Sequence, residues 1–189
     1  MILIIFLLAA CSPTKSSPLQ YQTYPFFAKG SLMANGIEYC FEVIMNDRQN
    51  AELKFSSPDS LKGYTFNVKG ENTTLSYGDM TIDFSNNGEK TNIVNLIPSL
   101  FSLSEDNITS SEQTTQNSTP LTVLTFKDPK GDITLHLNNS TGMPLRFEQN
   151  KTVVNVTELT PLAPSTPSQT QSPNTTPQPT NTPPATPWE

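Results

Sequence analysis

Few side chains in this sequence could carry out chemistry. There are two cysteines, Cys11 and Cys40, and a single histidine, His136. A nucleophilic thiol needs a nearby cation or base to hold it as thiolate. Cys40 is instead flanked by the acidic Glu38 and Glu42. His136 falls on a strand whose polar side also carries Asp132 and Thr134, and no G-x-S-x-G turn supplies a nucleophile for it to activate. A zinc site would need a cluster of His and Cys, which one histidine and one spare cysteine cannot make. No Gly-rich phosphate loop, calcium loop or paired-carboxylate motif occurs. The expectation is a protein that is not an enzyme and uses no cofactor or metal. Asn-x-Ser/Thr triplets such as those at Asn72, Asn107 and Asn117 follow from an Asn- and Thr-rich composition.

The remaining reactive group is Cys11. Met1 to Leu8 is an apolar run, too short for the roughly 20 residues that span a bilayer. It ends in Leu8-Ala9-Ala10-Cys11, followed by Ser12-Pro13 and a polar stretch. This resembles the lipobox of bacterial lipoproteins. There the thiol takes a diacylglycerol thioether, and small residues before it let a peptidase reach the backbone. The resemblance makes residues 1–10 a lipoprotein signal peptide and Cys11 the lipid-attachment residue. The expected location is the extracytoplasmic face of the cell membrane, lipid-anchored. If the run were an ordinary secretory signal instead, a Cys11–Cys40 disulfide would become available.

The net charge is −6, and Lys and Arg are scattered singly. A chain without a basic cluster has nothing with which to neutralise phosphates, so nucleic acid is excluded as a partner. Electrostatic attraction to anionic lipid is excluded on the same ground.

The elements that must position any site start from a hairpin, Phe26 to Met45, turned by Asn35-Gly36. Asn-Gly between alternating apolar residues is a strong hairpin signal, because a type I′ turn needs φ > 0 at both central residues. A two-residue turn pairs Ala34 with Ile37 and sets every other pair in step. One face then reads Phe26, Ala28, Gly30, Leu32, Ala34 against Met45, Val43, Phe41, Tyr39, Ile37. The other face opposes Lys29 to Glu42. A strand with one apolar and one wetted face belongs to an antiparallel sheet that covers something.

The alternation continues through Ala51, Leu53 and Phe55, then Tyr64, Phe66 and Val68, then Thr73, Leu75 and Tyr77, then Met80, Ile82 and Phe84. Short turns join these runs, so the first half reads as a six-strand meander. The period then changes. Ile93, Leu96, Ile97, Leu100 and Phe101 make the stripe of an amphipathic helix, with Thr91 as N-cap and Pro98 shortening or kinking it. That stripe suits the concave side of the sheet. Ser104 to Pro120 is polar and aperiodic and reads as a surface loop. Four further strands follow: Leu121–Phe126, Ile133–Leu137, Met143–Glu148, and one containing Val154 and Val156. The expected boundaries are a membrane tether over 11–22, a folded domain over 23–159, and a Pro/Thr-rich disordered tail over 160–189.

The order of elements resembles the lipoprotein-carrier (LolA-like) superfamily, which includes the periplasmic carrier of outer-membrane lipoproteins and its mycobacterial lipoprotein relatives. The resemblance lies in Phe27-Ala28-Lys29-Gly30 entering the first hairpin, in Ser57-Pro58-Asp59-Ser60-Leu61-Lys62-Gly63-Tyr64-Thr65-Phe66, and in Leu75-Ser76-Tyr77-Gly78-Asp79-Met80. It closes with Thr141-Gly142-Met143-Pro144-Leu145-Arg146-Phe147. It implies a mainly β fold, a curved antiparallel unclosed half-barrel with an amphipathic helix plugging an apolar concavity that can hold acyl chains. On that reading the ligand-binding residues are Phe26, Leu32, Tyr39, Phe41, Val43, Phe55, Phe66 and Ile82. The implied function is binding of a lipid or a lipoprotein acyl chain by a membrane-anchored, extracytoplasmic protein. The alternative is an anchored protein-interaction module with no lipid ligand, for example the activator of a cell-envelope or sporulation enzyme. Tight packing of the helix into the sheet would favour the second, and an empty apolar cavity the first.

Overall fold

The computed structural model describes residues 17–85 and 93–163. The proposed lipid-attachment residue Cys11, the N-cap Thr91 and most of the Pro/Thr-rich tail lie outside them. Eleven strands and one helix follow in chain order: β1 (Phe26–Ala34), β2 (Ile37–Met45), β3 (Asn50–Ser57), β4 (Thr65–Lys69), β5 (Asn72–Tyr77), β6 (Met80–Ser85), α1 (Ile93–Leu100), β7 (Ile108–Gln116), β8 (Thr119–Phe126), β9 (Ile133–Asn138), β10 (Pro144–Gln149) and β11 (Thr152–Pro161). They form one sheet in the order β6-β5-β4-β3-β2-β1-β11-β10-β9-β8-β7. Every pairing is antiparallel, and the sheet does not close into a barrel.

The first hairpin has the expected register, from Ala34↔Ile37 at the turn to Phe26↔Met45 at its far end. Asn35 and Gly36 take φ of +51° and +78°, as the two-residue turn requires. Lys29 Nζ lies 3.0 Å from Glu42 Oε1 across the pair. The expected inner face is buried from Phe26 to Leu32 and from Phe41 to Met45, but Ile37 at the tip is exposed.

Curvature follows from the reach of the helix. Asn95 of α1 accepts a hydrogen bond from Thr73 of β5, and Phe101, just past α1, packs its ring against Phe147 of β10. Six sheet spacings separate β5 from β10, about 29 Å on a flat sheet at ~4.8 Å per strand. Asn95 and Phe101 are only about 9 Å apart along a helix. The sheet must therefore bend around α1. Ile97, Leu100 and Phe101 are fully buried in the core this makes.

Three boundaries and the alternation of one strand differ from the sequence reading. Ser104 to Pro120 is not a loop: it holds β7, paired along β8 through a two-residue turn at Asn117-Ser118, both at positive φ. The sequence of β7 carries no alternation because both its faces are wet. The strand stands because β8 offers it a backbone edge. The last strand runs on to Pro161, so Thr160 and Pro161 pair with Phe27 and Phe26 instead of opening the tail. A β-bulge at Thr157 breaks the alternation there, bringing Leu159 inward three residues after Val156. Within the expected tether, Leu19 and Tyr21 are buried in the core. A turn closed by Gln22 N–H on the Leu19 carbonyl holds them there. The side chains of Gln22 and Tyr24 then donate to the carbonyls of Leu103 and Phe101, fastening this segment beside the helix end.

Candidate ligand-binding groove

The eight residues expected to line a ligand cavity divide into two sets. Phe26, Leu32, Phe41, Val43 and Phe55 are sealed in the core beneath α1. Phe101 packs edge-on to Phe26 at 5.8 Å and to Phe147 at 5.3 Å, so the deep concavity is filled by the chain's own rings. Tyr39 is half-buried and meets Phe55 edge-on at 6.1 Å. Phe66 and Ile82 line an open site.

That site is a groove of about 490 Å³ at the β6 end of the sheet, lined by Ser60, Leu61, Tyr64, Phe66, Leu75, Tyr77, Met80 and Ile82. Register explains how it is assembled. Leu53, Phe66, Leu75 and Ile82 stand in one cross-strand row from β3 to β6, and Tyr77 is paired with Met80 in the next. Cross-strand neighbours on one face lie about 5 Å apart, so the row is a continuous apolar strip. Its inner end is buried under α1 and its outer end is not. Tyr77, Met80 and Ile82 are 49%, 62% and 53% exposed. A helix of eight residues is too short to cover it.

The far wall is the β3–β4 connector. A single 3-10 turn, Asp59–Leu61, brings Leu61 over the strip, with Lys62 Nζ 2.7 Å from Asp59 Oδ1. Gly63 takes φ +83°, and a Cβ built there would lie 3.1 Å from Tyr77 Cε2. The connector thus rests directly on the tyrosine. Tyr64 and Tyr77 meet at 4.9 Å between ring centroids, their planes tilted by 38°. Phe55 touches Phe66 edge-on at 5.8 Å, linking groove to core. No lining residue is charged, so the groove suits an apolar group. Leu61, Tyr64, Leu75, Tyr77 and Met80 were not among the expected lining residues. Period-two alternation marked Tyr64, Leu75, Tyr77 and Met80 as inward-facing, and Leu61 fell in a connector read as a turn or short helical loop, but which inward positions lie beyond the helix is not a local property.

Elsewhere, Cys40 is a half-buried free thiol. His136 lies 3.4 Å from Glu148 Oε1, which also pairs with Arg146 Nε at 2.7 Å. A second cavity, about 400 Å³, lies beside α1 between the β4–β5 turn at Gly70-Glu71 and the β8–β9 and β10–β11 turns, with Gln149 in its lining. Gln149 there donates to Asp128 Oδ1 and the Gly131 carbonyl. Among the described residues, no group of three or more metal-ligating side chains gathers.

No family model and no curated protein matches the chain. Solved structures do. An uncharacterised conserved protein from Thermus thermophilus superposes with a TM-score of 0.51 at 11% identity, over 77% of this chain and 85% of that one. A LolA superfamily protein from Nitrosomonas europaea gives 0.40 at 13% identity, over 74% and 86%. MucB in the Pseudomonas aeruginosa MucA/MucB complex gives 0.41 at 16% identity, over 74% of this chain and 52% of that one. The solved neighbours thus include a LolA superfamily protein and MucB at low sequence identity. At 11% identity the likeness to the T. thermophilus protein is one of fold, and this chain has that fold.

Proposed function

We propose that this chain is a non-catalytic interaction module, moored on the extracytoplasmic face of a membrane by lipid on Cys11, that receives an apolar segment of a protein partner in the open groove. The observation carrying this reading is the strip Tyr77, Met80 and Ile82, each about half exposed or more in a groove walled on its other side by Leu61 and Tyr64. Contiguous exposed apolar surface beside a groove marks an interaction site. Among the described residues β6 pairs with β5 alone, so its outer backbone edge can add a partner strand while alternate partner side chains enter the groove. The filled concavity supports a protein partner over a fully enclosed lipid. The lipobox-like Leu8-Ala9-Ala10-Cys11 supports the anchor.

The test places a photo-crosslinking residue at Ile82, on the groove face, and at Asp83, on the opposite face of the same strand. In cells, position 82 should yield one discrete adduct that Met80→Asp abolishes, and position 83 should not. Equal labelling from both positions would refute the groove. Metabolic labelling with palmitate, lost in Cys11→Ser, tests the anchor separately.

A lipid acyl chain is the second reading, favoured by a groove volume within the 300–1,000 Å³ of small-molecule sites. Lipid retained by the Cys11→Ser chain in native mass spectrometry, purified without detergent, would select it.

A further inference from the structure

We propose that the groove is held in the resting protein by the chain's own carboxyl-terminal end, Pro183-Pro184-Ala185-Thr186-Pro187-Trp188, which a partner must displace. This rests on the groove being the receptor surface, as read above. The argument begins with the chemistry of the two sides. Tyr64 and Tyr77 stand 38° apart with ring centroids at 4.9 Å, and beside them Leu61, Met80 and Ile82 form an uncharged apolar trough. Grooves lined by aromatic rings recognise proline-rich segments, because the proline rings lie flat on the aromatic faces and the polyproline helix costs little entropy to order. The end of this chain supplies such a segment, with the single tryptophan next to last and no charge before Glu189. Trp188 is an apolar ring suited to the deeper part of the trough, with Met80 sulfur available at its edge.

Length permits the contact. β11 ends beside Phe26, and the Leu162 N–H is held on the Pro25 carbonyl, so the departure point of the tail is known. From there β5 lies five strands away, about 24 Å at ~4.8 Å per strand. The groove rows lie a few residues further along the strands, adding roughly 10 Å. The roughly 20 residues between Ala163 and Pro183 are enough to bridge up to about 60 Å at ~3.1 Å per residue. The contact is therefore within reach. Residues 86–92, Asn-Asn-Gly-Glu-Lys-Thr-Asn, which separate β6 from α1 in the sequence, contain no apolar side chain to fill the trough.

Because Trp188 is the only tryptophan, its selectively excited emission reports on the tail end alone. In the full chain carrying Cys11→Ser, that emission should be blue-shifted and independent of protein concentration. Met80→Asp with Ile82→Asp, both at exposed positions, should shift it to that of indole in water while leaving thermal unfolding in place. The Trp188→Ser chain should bind the apolar dye anilinonaphthalene sulfonate roughly three- to ten-fold more tightly, since a tethered occupant at about millimolar effective concentration closes a weak site. Water-like emission in the unsubstituted chain would overturn the proposal. So would a blue shift that survives the groove substitutions. A blue shift lost on dilution would assign the occupant to a second copy and overturn it equally. Dye that binds neither chain counts against the groove as an apolar receptor, while Trp188 emission still decides the tail.

Discussion

The carbonyl oxygen of Asn155 lies so close over Gly30 that a Cβ built on that glycine would stand 2.1 Å from it, with Phe41 Cζ at 3.0 Å on the other side. This contact sits at the β1–β11 seam, where the two meanders of the sheet join and the Thr157 bulge tightens the backbone. Both obstacles are rigid, one being backbone and the other a buried ring. Gly30→Ala should therefore destabilise by about 1–3 kcal/mol or more, as overpacked cores do. Urea unfolding checks it. A change within error would show that the seam relaxes freely.

Phe101 fills the concavity by packing against both Phe26 and Phe147. Phe101→Ala should cost about 3–5 kcal/mol. Placed in the Trp188→Ser chain, it should add dye binding beyond that chain's own, because the new cavity is beneath α1 and not in the groove. Calorimetry together with dye titration separates the two effects.

Thr73 is a buried polar residue of β5, and its hydroxyl donates to Asn95 Oδ1 of α1 at 3.1 Å. Thr73→Val keeps the volume and removes the donor, so a loss of about 0.5–1.5 kcal/mol is expected. Hydrogen exchange should speed up most in α1, which this bond ties to the sheet.

Burial pushes the Tyr21 hydroxyl above its usual value of 10.0, the nearby Gln22 side chain only partly offsetting it, and among the described residues the hydroxyl has no well-formed hydrogen-bond partner. A raised folded-state value means that the folded chain keeps the proton that the unfolded chain releases. Stability is thus unaffected below pH ~10 and falls as pH rises beyond it. Tyr21→Phe should reduce that alkaline decline, leaving the part due to Tyr24, whose hydroxyl burial also raises, and leave stability at neutral pH equal or slightly higher, since a buried hydroxyl without a well-formed bond is lost. Denaturation midpoints at neutral and alkaline pH provide the measurement.

Asp47 caps the β2–β3 turn by accepting from the N–H groups of Gln49 and Asn50. Bonding by the Asn50 side chain and these N–H groups holds its carboxyl below 3.8. Its contribution is therefore present above pH ~4 and lost as pH falls through that range. Asp47→Ala should remove a small part of the acid sensitivity of unfolding, measured as the difference in midpoint between neutral and acid pH.

Much of the architecture was legible in local sequence. Period-two alternation and turn chemistry determined the first six strands, the Phe26–Met45 register and the Lys29–Glu42 pair, because strand face and hairpin turn are set by residues close in the chain. The stripe from Ile93 to Phe101 determined the helix for the same reason. What escaped was non-local. The strand β7 has no apolar signature and exists because β8 lacks another neighbour. The inward turn of Leu159 follows from a bulge imposed by β1, and the burial of Leu19 and Tyr21 follows from space left beside α1. The candidate site was decided in the same way. Alternation marked Phe26, Phe41, Phe66, Tyr77 and Ile82 alike as inward-facing. Only the tertiary structure decided which of them the helix seals and which it leaves open, since that depends on an eight-residue helix being shorter than the sheet bent around it.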